Sequence, residues 1–377
     1  MIIAKIETFL LRIPFKPGNR AAASAWGDKD LRVADSLLVK VTTDQGLEGW
    51  GETFGFRAVS LAKLGIDELI APHCIGRDAT QIGPLMLEGQ KKLHLFGRSG
   101  PLFYGISAID IALWDIAGKA AGVPVCRLLG GSSSADLTCY ASLIRYSDPS
   151  LVRASVRQAI DSGFHNLKLH EIELTVIRAA REEAGSEVEL TLDVNSPWTL
   201  IEARMRAEEL HELRLKWLEE PIWPPENYDG LAQLRKACGI PIAAGENSST
   251  LMDFERLLAA EAVDFVQPSV AKMGGITELL KVFPIAAVRN VTVMPHCFYD
   301  GPGLLAAIHA TAALGTSDSM VEWRYFDLEA QLYGGRLTPI NGRISVPRGP
   351  GLGLDPDPNV IRDYLRVGAD SRVQKAA

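Results

Sequence analysis

The chain contains 377 residues, of which 47% are hydrophobic and 23% are charged, and its formal net charge is −7. This near-average composition excludes a disordered, collagen-like or coiled-coil protein, and the length allows one barrel-type domain or two ordinary domains. The excess of 46 acidic over 39 basic residues argues against a nucleic-acid partner, because a phosphate backbone would be repelled. Five cysteines without a CxxC pair are typical of a reduced, cytoplasmic protein.

Alternating apolar runs in residues 1–52 predict a small antiparallel sheet with a turn at residues 44–46. Charged residues interrupt the apolar start of the chain, and no apolar run of about 18 residues occurs, so neither a signal peptide nor a membrane contact is expected. Apolar residues at three- and four-residue spacing then predict helices over residues 60–70 and 105–121, and the second is expected to end at Gly122.

From residue 137 onward, short apolar runs alternate with longer amphipathic stretches. The short runs are LTCYASL, HNLKLH, VELTLDVN, LKWLEEP, IPIAAGE, VDFVQPS, VTVMPH and SMVEW, and helical stretches such as residues 150–163, 200–213 and 275–288 lie between them. Eight strands with intervening helices predict a parallel β/α barrel, whose functional groups are expected at the carboxyl ends of the strands. Beyond Trp323 the chain is rich in glycine and proline, which predicts a loop-rich return to the first domain.

Three carboxylates follow consecutive predicted strands. Asp193 ends the third barrel strand, Glu219 the fourth and Glu246 the fifth. Consecutive strand ends converge on one mouth of a closed barrel, where three carboxylates repel one another unless a cation lies between them. Oxygen ligands without a histidine or cysteine cluster favour Mg²⁺ over Zn²⁺. The alternative is that each carboxylate caps a helix or pairs with an arginine.

Further charged residues are predicted at the same mouth. Lys168 and His170 lie two residues apart on the second strand, so both side chains point to one face of the sheet. Lys272 follows the sixth strand, His296 ends the seventh and Glu322 ends the eighth. A lysine at a strand end is often a solvated or ion-paired residue, but the ring of charged strand ends opposite the carboxylates favours a catalytic site.

The run SAIDIALWDIAGKAAGVPVCRLLGG is followed in order by GFHNLKLH, LTLDVNSPW, LKWLEEP, IPIAAGE, VQPSVAKMGG and MPHCF. This series resembles the enolase superfamily and, within it, the mandelate racemase and muconate lactonizing group. The resemblance implies an α/β fold, in which a modified β/α barrel of the TIM type lies under an α+β capping domain built from both chain ends. The capping domain would span residues 1–125 and the barrel residues 126–325, and a C-terminal segment, residues 326–377, would return to the cap.

The resemblance also implies a chemistry and an assembly. Mg²⁺ would be held by Asp193, Glu219 and Glu246, and the first step would be abstraction of the proton α to a carboxylate, giving an enediolate. Lys168 and Lys272 would help to neutralise the carboxylate of a small-molecule substrate. The assembly implied by the group is a homo-oligomer.

Two positions depart from the pattern of the group. Its racemases carry Lys-x-Lys on the second strand, and His170 stands at the second of these positions. A histidine with a pKa near 6.5 is suited to proton transfer at neutral pH, so either His170 or Lys168 is a candidate base, although His170 could instead bind a substrate hydroxyl. Ser269 stands where the group has an aspartate paired with the seventh-strand histidine, and serine cannot stabilise an imidazolium by charge. His296 is therefore expected to act as an acid toward a leaving hydroxyl.

Because His170 and His296 do not form a matched pair of bases, the sequence favours an elimination over a racemisation. We expect a Mg²⁺-dependent dehydratase that converts an acid sugar or another hydroxy acid to a 2-keto-3-deoxy acid, with Glu322 hydrogen-bonded to the substrate carboxylate. The first alternative is a racemase or epimerase of a 2-hydroxy or amino acid derivative that uses His170 and His296. The second is a catalytically lapsed barrel that binds a carboxylate without turnover.

Substrate contacts are expected from Asn195 and Lys272 in the barrel and from two capping loops, residues 19–26 and 53–57. Arg20, Ser24 and Arg57 are candidates for contacts with hydroxyls, and Trp26, Phe54 and Phe56 for contacts with carbon. Each of these loop residues could equally be an ordinary surface residue, and the identity of the substrate does not follow from them.

Overall fold

The structure is a computed structural model that describes residues 1–15, 33–134, 136–325 and 327–366. Its first sheet consists of antiparallel strands in the order β1 (Ile3–Pro14), β2 (Val33–Thr43) and β3 (Glu48–Glu52). Gly46, with a φ of 80°, lies in the turn between β2 and β3. The predicted sheet and its turn are therefore confirmed.

Five helices follow this sheet in the described part of the chain, and the first and fourth of them pack against it. They are α1 (Val59–Gly65), α2 (Ala71–Cys74), α3 (Ile82–Leu93), α4 (Pro101–Ala121) and α5 (Val125–Leu128). A π-helical turn over Ile66–Ile70 joins α1 to α2, so the helix predicted at residues 60–70 changes its hydrogen-bond pattern half-way. Helix α4 has a proline in its first turn and ends at Gly122, whose φ of 68° is left-handed, as predicted. Within the described ranges, no helix combines the length and the apolar character that a membrane crossing requires.

Strand β3 packs so closely on α4 that only glycine fits at Gly51. A Cβ on Gly51 would lie 1.8 Å from the carbonyl oxygen of Ala108. We expect Gly51→Ala to lower the free energy of unfolding by about 3 kcal/mol, because strand and helix must move apart. The matched control is Gly83→Ala in α3, where a Cβ meets nothing within 4 Å and a gain of at most about 1 kcal/mol is expected. Urea denaturation measures both variants, and equal midpoints would contradict this close packing.

In the described part of the chain, eight parallel strands form the barrel. They are β4 (Asp136–Ser142), β5 (Asn166–Leu169), β6 (Glu189–Asp193), β7 (Leu218–Glu219), β8 (Ile242–Ala244), β9 (Phe265–Val266), β10 (Thr292–Val293) and β11 (Val321–Arg324). Neighbours in this order pair from β4 to β10, and β11 pairs in parallel with β4. Between β10 and β11, the Ser319 hydroxyl donates to the carbonyl of Val293 at 2.9 Å. The eight predicted strands are confirmed.

Helices between the strands cover the outside of the barrel. They are α6 (Pro149–Asp161), α7 (Leu174–Ala184), α8 (Leu200–Leu210), α9 (Tyr228–Cys238), α10 (Leu251–Ala259), α11 (Gly275–Ala287) and α12 (Pro302–Leu314). Thr199 and Thr250 form capping boxes that fix the first turns of α8 and α10. Because each helix follows the carboxyl end of a strand, helix N-termini and loops surround the mouth of the barrel.

The interior of the barrel is filled by side chains. Tyr140, Trp217, Ala243, Met294 and Met320 form a buried cluster, in which the rings of Tyr140 and Trp217 meet edge to face at 5.8 Å. A packed interior leaves the carboxyl ends of the strands as the place where a ligand can bind.

Two buried carboxylates, one at the end of β3 and one in α4, accept hydrogen bonds from the N-termini of barrel helices. Glu52 accepts a hydrogen bond from the backbone of Gly301 at 2.9 Å, just before α12. Asp110 of α4 accepts one from the backbone of Thr277 at 3.0 Å, in the first turn of α11. Free N–H groups at a helix N-terminus attract negative charge. These contacts hold the loop after β3, residues 53–58, at the mouth of the barrel.

The C-terminal segment contacts both the barrel and the first sheet. Strand β12 (Arg343–Ser345) pairs antiparallel with β4, and helix α13 (Pro358–Tyr364) follows it. Leu365 forms an isolated bridge with Leu11 of β1. The division of the chain near residues 125 and 325 stays a prediction from the sequence.

Candidate active site

The three carboxylates selected from the sequence meet at the mouth of the barrel. Asp193 is the last residue of β6 and Glu219 the last of β7, and the two are register partners in the parallel ladder. Glu246 follows the end of β8 after one intervening residue. One carboxylate oxygen from each residue lies within 4.8 Å of the others. The structure therefore brings together the three carboxylates that the sequence placed at consecutive strand ends.

The partners of this cluster fit a divalent cation. Asp193 Oδ2 is buried and accepts no hydrogen bond from the described residues, although Lys168 Nζ lies 2.9 Å away as an ion pair. Burial raises the pKa of Glu219 even though Lys168 opposes it, because the charges of Asp193 and Glu322 act in the same direction as burial. Lys168 alone therefore does not neutralise the cluster. Carboxylate oxygens are the ligands that hard divalent cations prefer.

Lys168 is surrounded by carboxylates. Its side chain extends from β5 into the barrel and is 1% exposed. Nζ lies 2.6 Å from Glu219 Oε1, 2.9 Å from Asp193 Oδ2 and 3.4 Å from Glu322 Oε1. Burial alone would lower the pKa of Lys168, but the three carboxylates raise it well above its ordinary value. The three carboxylates therefore favour the protonated amine, which disfavours Lys168 as a base.

His170 follows β5 at the edge of the cluster. Its Nδ1 lies within hydrogen-bonding distance of the carbonyl oxygen of Leu143. A carbonyl only accepts, so Nδ1 carries the hydrogen and the neutral ring has its lone pair on Nε2. Nε2 lies 3.4 Å from Asp193 Oδ2, and the side chain is 13% exposed. Both ring nitrogens therefore face oxygen acceptors, and in the neutral form of His170 the proton acceptor is Nε2, beside Asp193.

His296 follows β10 on the other flank of the carboxylates. Its Nε2 lies 2.8 Å from Glu246 Oε2, and its Nδ1 lies 3.1 Å from the hydroxyl of Ser269. An ionised carboxylate only accepts, so Nε2 carries a hydrogen. Burial would raise the pKa of Glu246, but the charges of His296 and Lys272 hold it well below its usual range. His296 therefore presents a proton donor, and its second partner is the uncharged serine expected from the sequence.

Lys272 lies beside the cluster but not at the end of a strand. It stands six residues beyond β9, in the loop that leads to α11. Its Nζ lies 3.5 Å from Glu246 Oε1 and 4.7 Å from the centre of the Phe54 ring. Lys272 therefore adds a positive charge at the mouth and is held there by both a carboxylate and an aromatic face.

Glu322 is held among barrel groups at the mouth. It lies inside β11, and its two oxygens accept hydrogen bonds of 2.7 Å from the Ser142 hydroxyl and from the backbone of Cys297. Burial would raise the pKa of Glu322, but Lys168 and its hydrogen bonds lower it. Its Oε1 lies 3.4 Å from Nζ of Lys168, so Glu322 helps to hold that amine, and its hydrogen bond to a substrate stays a prediction.

Arg145 was not selected from the sequence, although it lies at the mouth. It follows β4, and its Nε donates to the backbone oxygen of His170. Its Nη2 lies 3.4 Å from Asn195 Oδ1, and the backbone of Asn195 donates to Asp193 Oδ1 at 2.9 Å. The predicted substrate contact Asn195 is thus placed beside the carboxylates. The sequence around the first barrel strand contains no pattern of charged residues that would have identified Arg145 as a site residue.

Glu220 and Asn247 were also missed. Asn247 Nδ2 donates to both oxygens of Glu220, at 3.0 and 2.8 Å. Burial raises the pKa of Glu220 well above its ordinary value, and the nearby charge of Glu246 acts in the same direction. Each residue directly follows a predicted metal ligand, so the position of the strand ends could have identified both.

The predicted capping-loop contacts have three outcomes. Phe54 lies at the mouth, with its ring centre 6.0 Å from that of His296. Arg57 is exposed, and its charge acts on Asp35 of β2, so its contact with a substrate stays a prediction. Ser24 and Trp26, like Arg20, lie outside the described residues.

Two family models together match most of the chain. The model described as "Mandelate racemase / muconate lactonizing enzyme, N-terminal domain" matches residues 29–130, and the model described as "Enolase C-terminal domain-like" matches residues 151–360. The chain belongs to the enolase superfamily. Within it, the chain falls in the mandelate racemase and muconate lactonizing enzyme group, so the resemblance seen in the motifs is confirmed.

Individual relatives are enzymes of two classes. The chain is 30% identical over 337 residues to arabinonate dehydratase of Saccharolobus solfataricus, covering 87% of this chain and 90% of that protein. It is 31% identical to the 3,6-anhydro-D-galactonate cycloisomerase from Zobellia galactanivorans, whose structure superposes with a TM-score of 0.85 over 97% of this chain and 100% of that chain. A racemase from Streptomyces coelicolor A3(2) with bound magnesium gives a TM-score of 0.86 at 27% identity, over 97% of this chain and 100% of that chain. This superfamily member is thus similar to lyases and to isomerases, and the predicted barrel with a capping domain is confirmed.

Proposed function

We propose that this enolase superfamily member is a lyase that removes the proton α to the carboxylate of an acid sugar and expels the β-oxygen, giving a 2-keto-3-deoxy acid. The observation that carries the proposal is the pair of imidazoles on the two flanks of the carboxylate cluster. With its Nδ1 beside a carbonyl, neutral His170 has its acceptor at Nε2, whereas Nε2 of His296 donates to Glu246. An elimination needs one base and one acid, whereas a racemase needs two interchangeable bases. Similarity to an arabinonate dehydratase supports the substrate class.

The proposed cation is Mg²⁺, held by Asp193, Glu219 and Glu246. The oxygen-only ligand set supports it, as do the buried Asp193 Oδ2, which accepts no hydrogen bond from the described residues, and the similarity to a racemase with bound magnesium. When bound, the cation supplies positive charge that stabilises the carboxylate of the substrate as the α proton leaves.

The protein's own residues divide the proton transfers between them. Nε2 of His170 takes the α proton, and the fixed charge of Lys168 stabilises the enediolate. Lys272 neutralises the substrate carboxylate from the side of Glu246. Nε2 of His296 then gives its proton to the departing oxygen, and the resulting enol converts to the 2-keto acid.

The geometry also argues against the alternative base and the two alternative functions. Lys168 is disfavoured as the base because three carboxylates keep it charged. Racemisation is disfavoured because the two imidazoles have different partners: His296 lies between Glu246 and Ser269, whereas Nδ1 of His170 faces the carbonyl of Leu143. A lapsed barrel is disfavoured by the complete set of carboxylates and acid-base groups. A cytoplasmic location, a homo-oligomeric assembly and the absence of a nucleic-acid partner stay predictions from the sequence.

The test of this proposal is keto-acid formation from a panel of cyclic and open-chain acid sugars. We expect turnover with Mg²⁺, a loss of at least about 100-fold in excess EDTA, and recovery when Mg²⁺ is restored, because a divalent charge about 4 Å away contributes ~4 kcal/mol per charge pair. Undiminished turnover in EDTA would disprove the cation, and no keto acid from any member of the panel would disprove the function.

Calorimetric titration with Mg²⁺ tests the ligands without reference to turnover. Glu219→Gln should weaken Mg²⁺ binding at least about tenfold, because the ligand loses a unit of negative charge. Glu208→Gln on the exposed face of α8 is the matched control and should bind Mg²⁺ like the wild type. Equal affinities in the two variants would place Glu219 outside the ligand set.

A further inference from the structure

A continuous series of ring contacts joins the two imidazoles across the mouth. Centre-to-centre distances are 6.0 Å from His296 to Phe54, 6.2 Å from Phe54 to Phe56, 5.7 Å from Phe56 to Phe298 and 6.0 Å from Phe298 to His170. All lie in the range of direct aromatic contact. We call Phe54, Phe56 and Phe298 the aromatic arc. Its first two members follow β3 and its third follows β10, so the arc is built from both the capping region and the barrel.

The arc is a partly exposed apolar surface, and one of its three members has a strained backbone. All three rings are partly exposed, unlike the hydrophobic side chains of the core. Phe56 has a φ of 59°, in the left-handed region that bulky residues rarely adopt. Such strain persists only where the surroundings hold it, and it is common at ligand-binding sites. The arc is therefore a preformed apolar wall between the proposed base and the proposed acid.

We propose that the substrate is a cyclic acid sugar whose ring packs on the aromatic arc and whose β-oxygen is a member of that ring. This inference rests on the proposed function, since it specifies the substrate class of the same site. The reacting carbons must lie between Nε2 of His170 and Nε2 of His296. Because the arc joins these two rings, the carbon skeleton of the substrate lies against it.

A ring suits this wall better than an open chain. One face of a sugar ring consists of C–H groups, which pack on aromatic rings while the hydroxyls point to the rim. An open-chain polyol turns hydroxyls to all sides, and those against the arc would lose water without gaining a hydrogen bond. At the rim, Arg145 and Asn195 supply polar groups for the outward hydroxyls.

The reaction balances without a further reactant. His170 takes the α proton, and the electron pair left behind forms a double bond between the α and β carbons. The bond from the β carbon to the ring oxygen breaks, its electron pair stays on that oxygen, and His296 protonates it. The ring opens to an enol, which converts to an open-chain 2-keto-3-deoxy acid. Product and substrate are isomers, and no water is released.

An aryl 2-hydroxy acid could also pack on the arc, but His296 would then have no leaving oxygen to protonate. It has no β carbon–oxygen bond to break, so only racemisation is open to it. Racemisation requires two matched bases, and Ser269 leaves His170 and His296 unmatched. The arc and the asymmetric pair of imidazoles together therefore favour the cyclic sugar.

The experiment compares three acids with the Mg²⁺-loaded protein: a 3,6-anhydrohexonate, the open-chain hexonate of the same configuration, and an aryl 2-hydroxy acid. We expect kcat/KM for the anhydro acid to exceed that for the open-chain acid at least about tenfold, which corresponds to one good aromatic contact. Phe298→Leu and, as a second variant, Phe56→Leu should reduce this preference to about threefold or less. Phe96→Leu, at a ring 62% exposed outside the arc, is the matched control and should leave the preference unchanged.

The outcomes separate this inference from the proposed function. A preference for the anhydro acid that falls only in the arc variants supports the inference. Equal or faster elimination from the open-chain acid, unaffected by the arc variants, overturns the inference and leaves the proposed function standing. Elimination from neither sugar acid overturns the proposed function itself. Racemisation of the aryl acid without elimination from the sugars overturns both.

Discussion

Lys168→Met is expected to reduce the rate of elimination about 10³-fold and the free energy of unfolding by about 3–5 kcal/mol. The rate falls because a fixed charge about 4 Å from the enediolate is worth ~4 kcal/mol at an effective dielectric of 20. The stability falls because Asp193, Glu219 and Glu322 lose the ammonium group that lies within 3.4 Å of each of them. Keto-acid release gives the first quantity, and urea denaturation in EDTA gives the second.

The matched control for this variant is Lys281→Met. Lys281 is 45% exposed on α11 and pairs with Glu278 at 2.8 Å, so its loss should change the stability by less than about 1 kcal/mol. Mg²⁺ should restore part of the stability of Lys168→Met, because a bound cation replaces the missing positive charge. A Lys168→Met protein as stable as the wild type in EDTA would show that the ion pairs of Lys168 do not stabilise the fold.

His296→Asn is expected to separate proton abstraction from elimination. Exchange of the α hydrogen with solvent should stay within about tenfold of the wild-type rate, because His170 remains. Elimination should fall about 10²- to 10⁴-fold, the usual contribution of a positioned acid, since asparagine has no proton to transfer to the leaving oxygen. Both rates can be followed in D₂O, the exchange by NMR and the elimination by keto-acid release.

His170→Asn should instead lower both rates, because abstraction of the α proton precedes elimination. The expected loss of exchange is again about 10²- to 10⁴-fold. His211→Asn, at an exposed position just after α8, is the control and should change neither rate. If His170→Asn exchanged the α hydrogen at the wild-type rate, His170 would not be the base, and His296 would take that role.

The barrel and its cluster of three carboxylates were predictable because each leaves a local pattern in the sequence. A parallel strand buried on both faces is a short apolar run, and the polar residue that ends it lies at the mouth. Asp193 and Glu219 stand at such ends, and Glu246 follows closely. Lys168 and His170 share a strand face, so their approach to the same carboxylate also followed from their spacing.

The choice between Lys168 and His170 as the base could not be made from the sequence. It depends on three carboxylates around Nζ of Lys168, which come from three other strands, and on the carbonyl of Leu143 beside His170. Side-chain spacing along one strand carries no information about these partners. The partners of Glu322 were not predictable for the same reason, since the backbone of Cys297 donates to one of its oxygens.

The aromatic arc was only partly predictable. Phe54 and Phe56 were candidates for contact with the carbon of a substrate, but Phe298 was not considered. The arc exists because the buried carboxylate of Glu52 binds the backbone before α12, which brings the loop after β3 to the loop after β10. Contacts between segments so far apart in the chain leave no pattern in the sequence.

The most direct test of the central claim is NMR analysis of the product formed in D₂O from an acid sugar that the enzyme turns over. The proposed elimination predicts a 2-keto-3-deoxy acid with one solvent deuterium at C3, because the enol takes that hydrogen from the solvent. An epimer that keeps its β-oxygen and carries deuterium at C2 would contradict the elimination and identify the enzyme as a racemase or epimerase.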